Sequence, residues 1–273
     1  TVLGVMQRGA VAVFLDPWSG FGRLKASAQL LRCHAIIADN RLRWLSSVLP
    51  VFKNIPTKLS PKAAGYKGLE KVAEVTANDT ALITFTTGSS GTPKGANRTH
   101  GFLKSQLKAL QQVIPPVAHD VCLTNLPVFI LSHLAQGVSS VIPNYNPRKP
   151  NKMQPQTILK QLKGHKVKTL VVSPDFLLRL TQVKSEANKL ALQRIFTGGA
   201  PVFPDQAQQI ANTFAQVPVT VGYGSTEAEP ISSIRLQDLL QHQQLTQGGL
   251  PVGKPHPACR VKIIKWQDAA LKP

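Results

Sequence analysis

The residues best suited to chemistry form one run, Thr86-Thr87-Gly88-Ser89-Ser90-Gly91-Thr92-Pro93-Lys94-Gly95, directly after the apolar segment Ala81-Leu82-Ile83-Thr84-Phe85. Glycine lets a backbone turn sharply and come close to a ligand. The hydroxyls of Thr86, Thr87, Ser89, Ser90 and Thr92, with the loop's backbone N–H groups, can donate to phosphate oxygens. Lys94 adds a point charge of the kind phosphate attracts. A plain Ser/Gly surface loop shares part of this composition, but not the apolar strand before it or the Pro-Lys-Gly after it. Nor is the run a Walker loop, which requires Gly-Lys-Ser/Thr where this chain has Pro93-Lys94-Gly95.

Three further runs follow in order: Thr197-Gly198-Gly199-Ala200-Pro201-Val202, Gly222-Tyr223-Gly224-Ser225-Thr226-Glu227, and Gly248-Gly249-Leu250-Pro251-Val252-Gly253-Lys254-Pro255. Together with the phosphate-type loop they resemble the adenylate-forming superfamily of acyl-CoA synthetases, firefly-type luciferases and peptide-synthetase adenylation domains. The opening Leu3-Gly4-Val5-Met6-Gln7-Arg8-Gly9-Ala10 fits the same pattern, so the resemblance spans nearly the whole chain. It implies that residues 86–92 and Lys94 cradle the phosphates of ATP, and that Gly199, Ala200 and Pro201 flank adenine. Tyr223 would stack on the base, with a core tyrosine as the rival reading. Gly224, Ser225 and Thr226 would continue the nucleotide site, Thr226 at the α-phosphate. Glu227 would hold Mg²⁺, the role hard cations give to carboxylates; a surface carboxylate is the alternative.

The reaction so implied begins with attack of a substrate carboxylate on the α-phosphate of ATP, giving an acyl-adenylate and pyrophosphate. Lys94, Thr226 and Glu227 are the catalytic candidates, through positioning and charge stabilisation. A thiol, coenzyme A or a carrier arm, takes the acyl group in a second step. The segments around Gly199 and Tyr223 look most like the fatty-acyl branch, which includes ligases that close β-hydroxy acids to β-lactones. Leu126-Pro127-Val128-Phe129 looks like the family's substrate-side turn, and Phe129 and Ile130 suit an apolar acyl chain. His100 reads as the start of the helix after the phosphate loop; for His133 a structural and a functional role both stay open.

Relatives continue to a Thr-Gly-Asp motif, a hinge and a small domain carrying the adenylation lysine, none of which is found before Pro273. With no initiator Met at Thr1, the chain reads as a partial AMP-binding domain, short at both ends and lacking that small domain. Activity of these 273 residues alone is therefore expected to be impaired, and a catalytically inactive nucleotide-binding fragment is the second reading.

The elements that must position these residues alternate. Short apolar strands are expected at Ala10–Leu15 and Ala35–Ala38, both read as buried, and at Ala81–Phe85, Val121–Leu126, Lys168–Val172, Val217–Val221 and Arg260–Ile264. Helical spacing is expected at Gly22–Leu31, Leu42–Val48, His100–Val113, Thr157–Leu162, from Pro174 and at Pro204–Phe214. Residues 54–68, rich in Pro, Lys and Gly, read as an exposed connection and a possible subdomain break. This order implies an α/β fold with mainly parallel sheets and helices on both faces, whose ligands bind beyond the carboxyl ends of the strands.

Bulk composition sets the remaining bounds. In 273 residues no apolar run approaches the ~18 that suggest a membrane span, and the opening residues do not form a signal peptide. Cys33, Cys122 and Cys259 are far apart, which supports neither a disulfide scaffold nor a zinc site, and reduced thiols in a cytoplasmic protein are expected. The formal charge of +19 draws anions. The densest basic stretches, Arg148–Lys152 and Lys160–Lys168, are short and interrupted. They read as a solvated basic face rather than a specific nucleic-acid site, and a basic nucleic-acid-binding module is the third reading.

Overall fold

The computed structural model describes residues 2–15, 20–61, 71–86, 93–187, 189–243 and 249–264. The chain divides into two compact units, Thr1–Ser105 and Gln106–Pro273. The expected break at 54–68 lies within the first unit, and its residues 62–68 fall outside the described residues.

The first unit runs α1 (Val2–Gln7), β1 (Ala12–Phe14), α2 (Phe21–Gln29), β2 (Ala35–Ile37), α3 (Asn40–Val48), α4 (Pro50–Lys53), β3 (Thr57–Leu59), β4 (Thr80–Thr86), β5 (Lys94–Thr99) and the start of α5 (His100–Val113). β1 pairs parallel with β4 and β4 antiparallel with β5; β2 and β3 form a separate parallel pair. Helix α3 starts where Asp39 Oδ1 accepts from Leu42 N at 2.9 Å, and α5 where Thr99 Oγ1 accepts from Phe102 N at 3.1 Å. Both are side-chain N-caps that satisfy otherwise orphaned helix donors.

Three expectations are corrected in this unit. β2 is not a buried strand: Ala35 is exposed and Ile36 and Ile37 half-buried, because β3 is its sole sheet partner among the described residues. The supposed connection at 54–68 contains β3. Lys94-Gly95 is not loop but the start of β5, since the ladder to β4 runs up to the Thr86–Lys94 pair.

The second unit continues through β6 (Val121–Thr124), α6 (Pro127–Ala135), β7 (Ser139–Val141), α7 (Pro155–Gly164), β8 (Thr169–Val172), α8 (Pro174–Thr181), α9 (Lys184–Ala187), β9 (Arg194–Gly198), α10 (Pro204–Thr213), β10 (Val219–Tyr223), β11 (Ser232–Arg235), α11 (Leu236–Gln243) and β12 (Lys254–Pro255). Its seven strands lie in the order β12-β11-β10-β9-β8-β6-β7. The pairs from β10 to β7 are parallel; β11 and β12 add an antiparallel edge. One face packs under α7, α8, α10 and α11 around Leu123, Leu170, Leu177, Ile195 and Ile210. The other carries Leu110 of α5 and Phe129 of α6 against Cys122 and Val171. β8 is buried at every position, as expected of a strand covered on both faces.

The expected α/β architecture is therefore present. Helices α7 and α8 each open with Pro at the first turn, where its missing N–H and fixed φ fit. Pro127 also opens a helix, and β6 ends at Thr124 rather than at the expected Leu126. Arg260–Ile264 is not a strand: it has no ladder partner among the described residues, and Ile263 is 95% exposed.

Candidate functional site

The phosphate-type run is anchored by the β4–β5 ladder. Register pairs Phe85 with Gly95 and Thr86 with Lys94, so the intervening loop starts and finishes on neighbouring strands. Lys94 is exposed at the first position of β5. Thr87, Gly88, Ser89, Ser90, Gly91 and Thr92 lie outside the described residues. His100 is the first residue of α5, as expected, and its N–H donates to Asp79 O at 3.0 Å. Asp79 accepts from Thr76 N, and that hydrogen bond holds its carboxyl below the usual range. Gly101 must lack a side chain, because a Cβ there would lie 2.9 Å from Ala77 O.

In the second unit the sheet brings two of the motifs together. β9 and β10 are parallel neighbours, and Gly198 is paired with Gly222 at their carboxyl ends. A Cβ on Gly198 would lie 2.8 Å from Gly222 O, so the two backbones can meet this closely only around glycine. Gly199 follows with φ +85° and open space where a side chain would be. Gly199, Ala200 and Pro201 are exposed, while the next residue, Val202, is buried and pins the turn to the core. Beside them Tyr223 is 50% exposed, which sets aside the core-tyrosine alternative.

The chain then folds into a tight turn. Ser225 N donates to Ala228 O at 2.8 Å, Ala228 N returns a bond to Ser225 O at 3.2 Å, and Ile231 N donates to Tyr223 O at 2.9 Å. Gly224 fits beneath it, since a Cβ there would meet Ala228 O at 3.1 Å. This turn presents Ser225 and Glu227 to solvent and leaves Thr226 half-buried. The Gly249–Pro255 motif supports the turn from behind. Val252 O accepts from Ser232 Oγ at 2.7 Å, and Gly253, at φ +84°, leaves no room for a Cβ against Ser233 O.

A polar clasp joins two neighbouring strand ends, and the sequence reading missed it. Asn125, just beyond β6, donates from Nδ2 to Ser173 Oγ at 3.0 Å and accepts at Oδ1 from Ser173 N at 2.9 Å. Ser173 precedes α8 and makes no side-chain cap; its hydroxyl accepts from Asn125 instead. The signal available was position: a polar residue directly after a buried strand in a parallel sheet, where ligands gather.

A second polar cluster lies at the opposite edge, where the strands begin. Arg194 donates to Asp120 Oδ2 at 2.9 Å, to Thr169 Oγ1 at 2.9 Å and to Pro115 O at 2.6 Å. His133 is buried on α6 with Nδ1 2.8 Å from Ser140 Oγ, and burial lowers its pKa. Burial, then the charge of Asp120, pushes the Cys122 thiol up to about 12, which leaves it inert. A cavity of about 20 Å³, room for about one water, is lined here by Asp120, Cys122, Phe129, His133 and Arg194. Phe129 thus sits in the core beside this cavity, and Ile130 is half-buried on α6. His133 is held in a structural hydrogen bond.

Among the described residues no group of three or more His, Cys, Asp or Glu side chains could hold a metal by itself. The cysteines are unpaired, and among the described residues no helix is long and apolar enough to cross a membrane.

The family model for AMP-binding enzymes matches residues 1–273. The chain belongs to this family. The chain is 29% identical to the olefin β-lactone synthetase of Stenotrophomonas maltophilia, over 99% of this chain and 52% of that protein. It is 23% identical to the long-chain-fatty-acid–CoA ligase of Salmonella typhimurium over 90% of this chain and 44% of that one. The chain therefore spans about half the length of the curated relatives it matches. Among solved structures, the O-succinylbenzoate coenzyme A synthetase of Bacillus subtilis in complex with AMP shares the fold with a TM-score of 0.77 at 18% identity, over 97% of this chain and 53% of that chain. Its complex with ATP and magnesium ion gives 0.74 at 18% identity, over 97% of this chain and 54% of that chain.

Proposed function

We propose that this AMP-binding chain takes part in ATP-dependent carboxylate activation, in which a carboxylate oxygen bonds to the α-phosphorus of ATP, the bond to the β-phosphate bridging oxygen breaks, and pyrophosphate leaves. The observation that carries the proposal is the pairing of Gly198 with Gly222 at the carboxyl ends of two parallel strands. It puts an open glycine edge, an exposed Tyr223 ring and the Glu227 turn on one rim. That rim fits a nucleotide. The space above Gly199 admits a flat base, which Gly199, Ala200, Pro201 and Tyr223 would hold, and Thr226 would hydrogen-bond a phosphate oxygen. Glu227 would hold Mg²⁺, which supplies charge neutralisation at the phosphates when bound.

Lys94 adds positive charge at the foot of the phosphate loop. With residues 86–92 it would offset the charge that develops on the phosphates. Phe129 and Ile130 are the candidates for acyl contact, and a fatty acid is the proposed substrate. Coenzyme A or a carrier thiol is the proposed acceptor in a second step. The names of the β-lactone synthetase and the fatty-acid ligase support that direction.

The test is ATP–pyrophosphate exchange with Mg²⁺ and a panel of fatty and β-hydroxy acids. Acid-dependent exchange is expected, falling about 10²–10³-fold in Lys94→Ala and in Glu227→Ala, the scale of one lost transition-state contact. Nucleotide binding without exchange would favour a chain that holds ATP without turnover. No binding at all would overturn the reading.

A further inference from the structure

Between Asp120 and Asp175 the chain has no acidic residue and seven Lys and Arg. Most of these cations surround α7, beside the edge strand β7. Ile158, Leu159 and Leu162 bury the inner face of α7, and Gln156, Lys160 and Lys163 form its exposed stripe at helical spacing. Exposed Lys149 and Lys152 precede the helix, and exposed Lys166 and Lys168 follow it. None of these six lysines forms an ion pair among the described residues. The helix dipole accounts for lysines at its carboxyl end but opposes those before its amino end.

An apolar side chain stands beside this basic stripe. Gln161 of α7 donates from Nε2 to Ile142 O at 2.8 Å and accepts from Asn144 N at 2.8 Å. These bonds tie the segment after β7 to the helix and leave Ile142 64% exposed.

We propose that this face docks on an anionic phospholipid surface, with the lysines at the phosphate layer and Ile142 at the boundary with the acyl chains. Lysine clusters with an exposed apolar residue match that layered environment. A nucleic acid is recognised instead through arginine forks and stacking aromatics. The stretch has one arginine, Arg148; its Phe129 is buried, and its Tyr145 packs on Phe176 with ring centroids 5.7 Å apart. Exposed Ile142 would also gain nothing against a phosphate backbone.

The experiment is cosedimentation of the whole chain with phosphatidylcholine vesicles, with and without about 30% phosphatidylglycerol, at low and high salt. Binding is expected only to the anionic vesicles and is lost at high salt. Replacing Lys149, Lys152, Lys160 and Lys163 together by Gln should weaken it about 1,000-fold, roughly fivefold per charge. Ile142→Ser should weaken it about tenfold. A charge-matched control, Lys25, Lys53, Lys71 and Lys104 to Gln, should stay within about threefold of the parent. Equal losses in the two quadruple variants would overturn the proposal, as would indifference to phosphatidylglycerol. So would tighter binding to a DNA duplex that is lost with the same four α7-face substitutions. All these side chains are exposed, so unchanged thermal melting separates docking from folding.

Discussion

The two units follow the same alternating α/β pattern and differ in what their apolar residues achieve. In the second, Leu123, Ile158, Leu170, Leu177, Leu180, Ile195 and Ile210 are fully buried between a seven-stranded sheet and its helices. In the first, the buried apolar residues among those described are few, chiefly Ala12, Phe52, Ala81 and Leu82, while Phe21, Leu30, Trp44 and Val48 are exposed. Burying one large apolar side chain contributes about 1.5–3 kcal/mol, so the second unit has far more holding it together. The difference teaches how each of the two motif-bearing segments is fixed. The Gly198–Gly222 rim is an extension of a rigid core. The β4–β5 foot of the phosphate loop is fixed mainly by ladder hydrogen bonds, with Ala81 and Leu82 as its buried anchors.

The largest test of this contrast strikes the start of the second unit's strands. Arg194→Met leaves the Asp120 carboxylate, 2% exposed at its side chain, without its cation. A loss of about 3–5 kcal/mol is expected in urea denaturation. A loss below about 1 kcal/mol would show that water already relieves that charge.

A smaller effect is expected at the opposite edge. Asn125→Ala removes the clasp between the ends of β6 and β8 and leaves Ser173 N without its side-chain acceptor. About 1–2 kcal/mol should be lost, again read by urea denaturation. The smallest effect belongs to the first unit. Trp44, 71% exposed, should change stability by no more than about 0.5 kcal/mol on substitution by serine. A drop of several kcal/mol there would reverse the comparison and mean that the ring is covered in solution.

The motifs were legible because each is a local run of residue types. The glycine pair in Gly198-Gly199 and the Tyr223–Glu227 run marked the candidate ligand edge. The helix at 100–113 was readable to the residue, because its spacing and the Thr99 cap are local. The errors fell where a partner decides the outcome. Ile36 and Ile37 read as core, yet the two-stranded β2–β3 sheet leaves them half-buried. Lys94 read as loop, yet cross-strand pairing with Thr86 makes it strand. Arg260–Ile264 has strand composition and finds no ladder among the described residues.

By itself, the sequence determined the alternation of elements and the mainly parallel sheet class, and it named the residues proposed to meet a nucleotide. These depend on side-chain type and on periods of a few residues, which need no distant partner. Tertiary structure alone decided that Gly198 and Gly222 lie side by side and that Asn125 reaches Ser173, 48 residues on. It alone decided that Asp120 and Arg194 share a buried hydrogen-bond cluster with Thr169. Those pairings follow from strand order and register, and register is set only when a sheet closes on its neighbours and buries one set of faces.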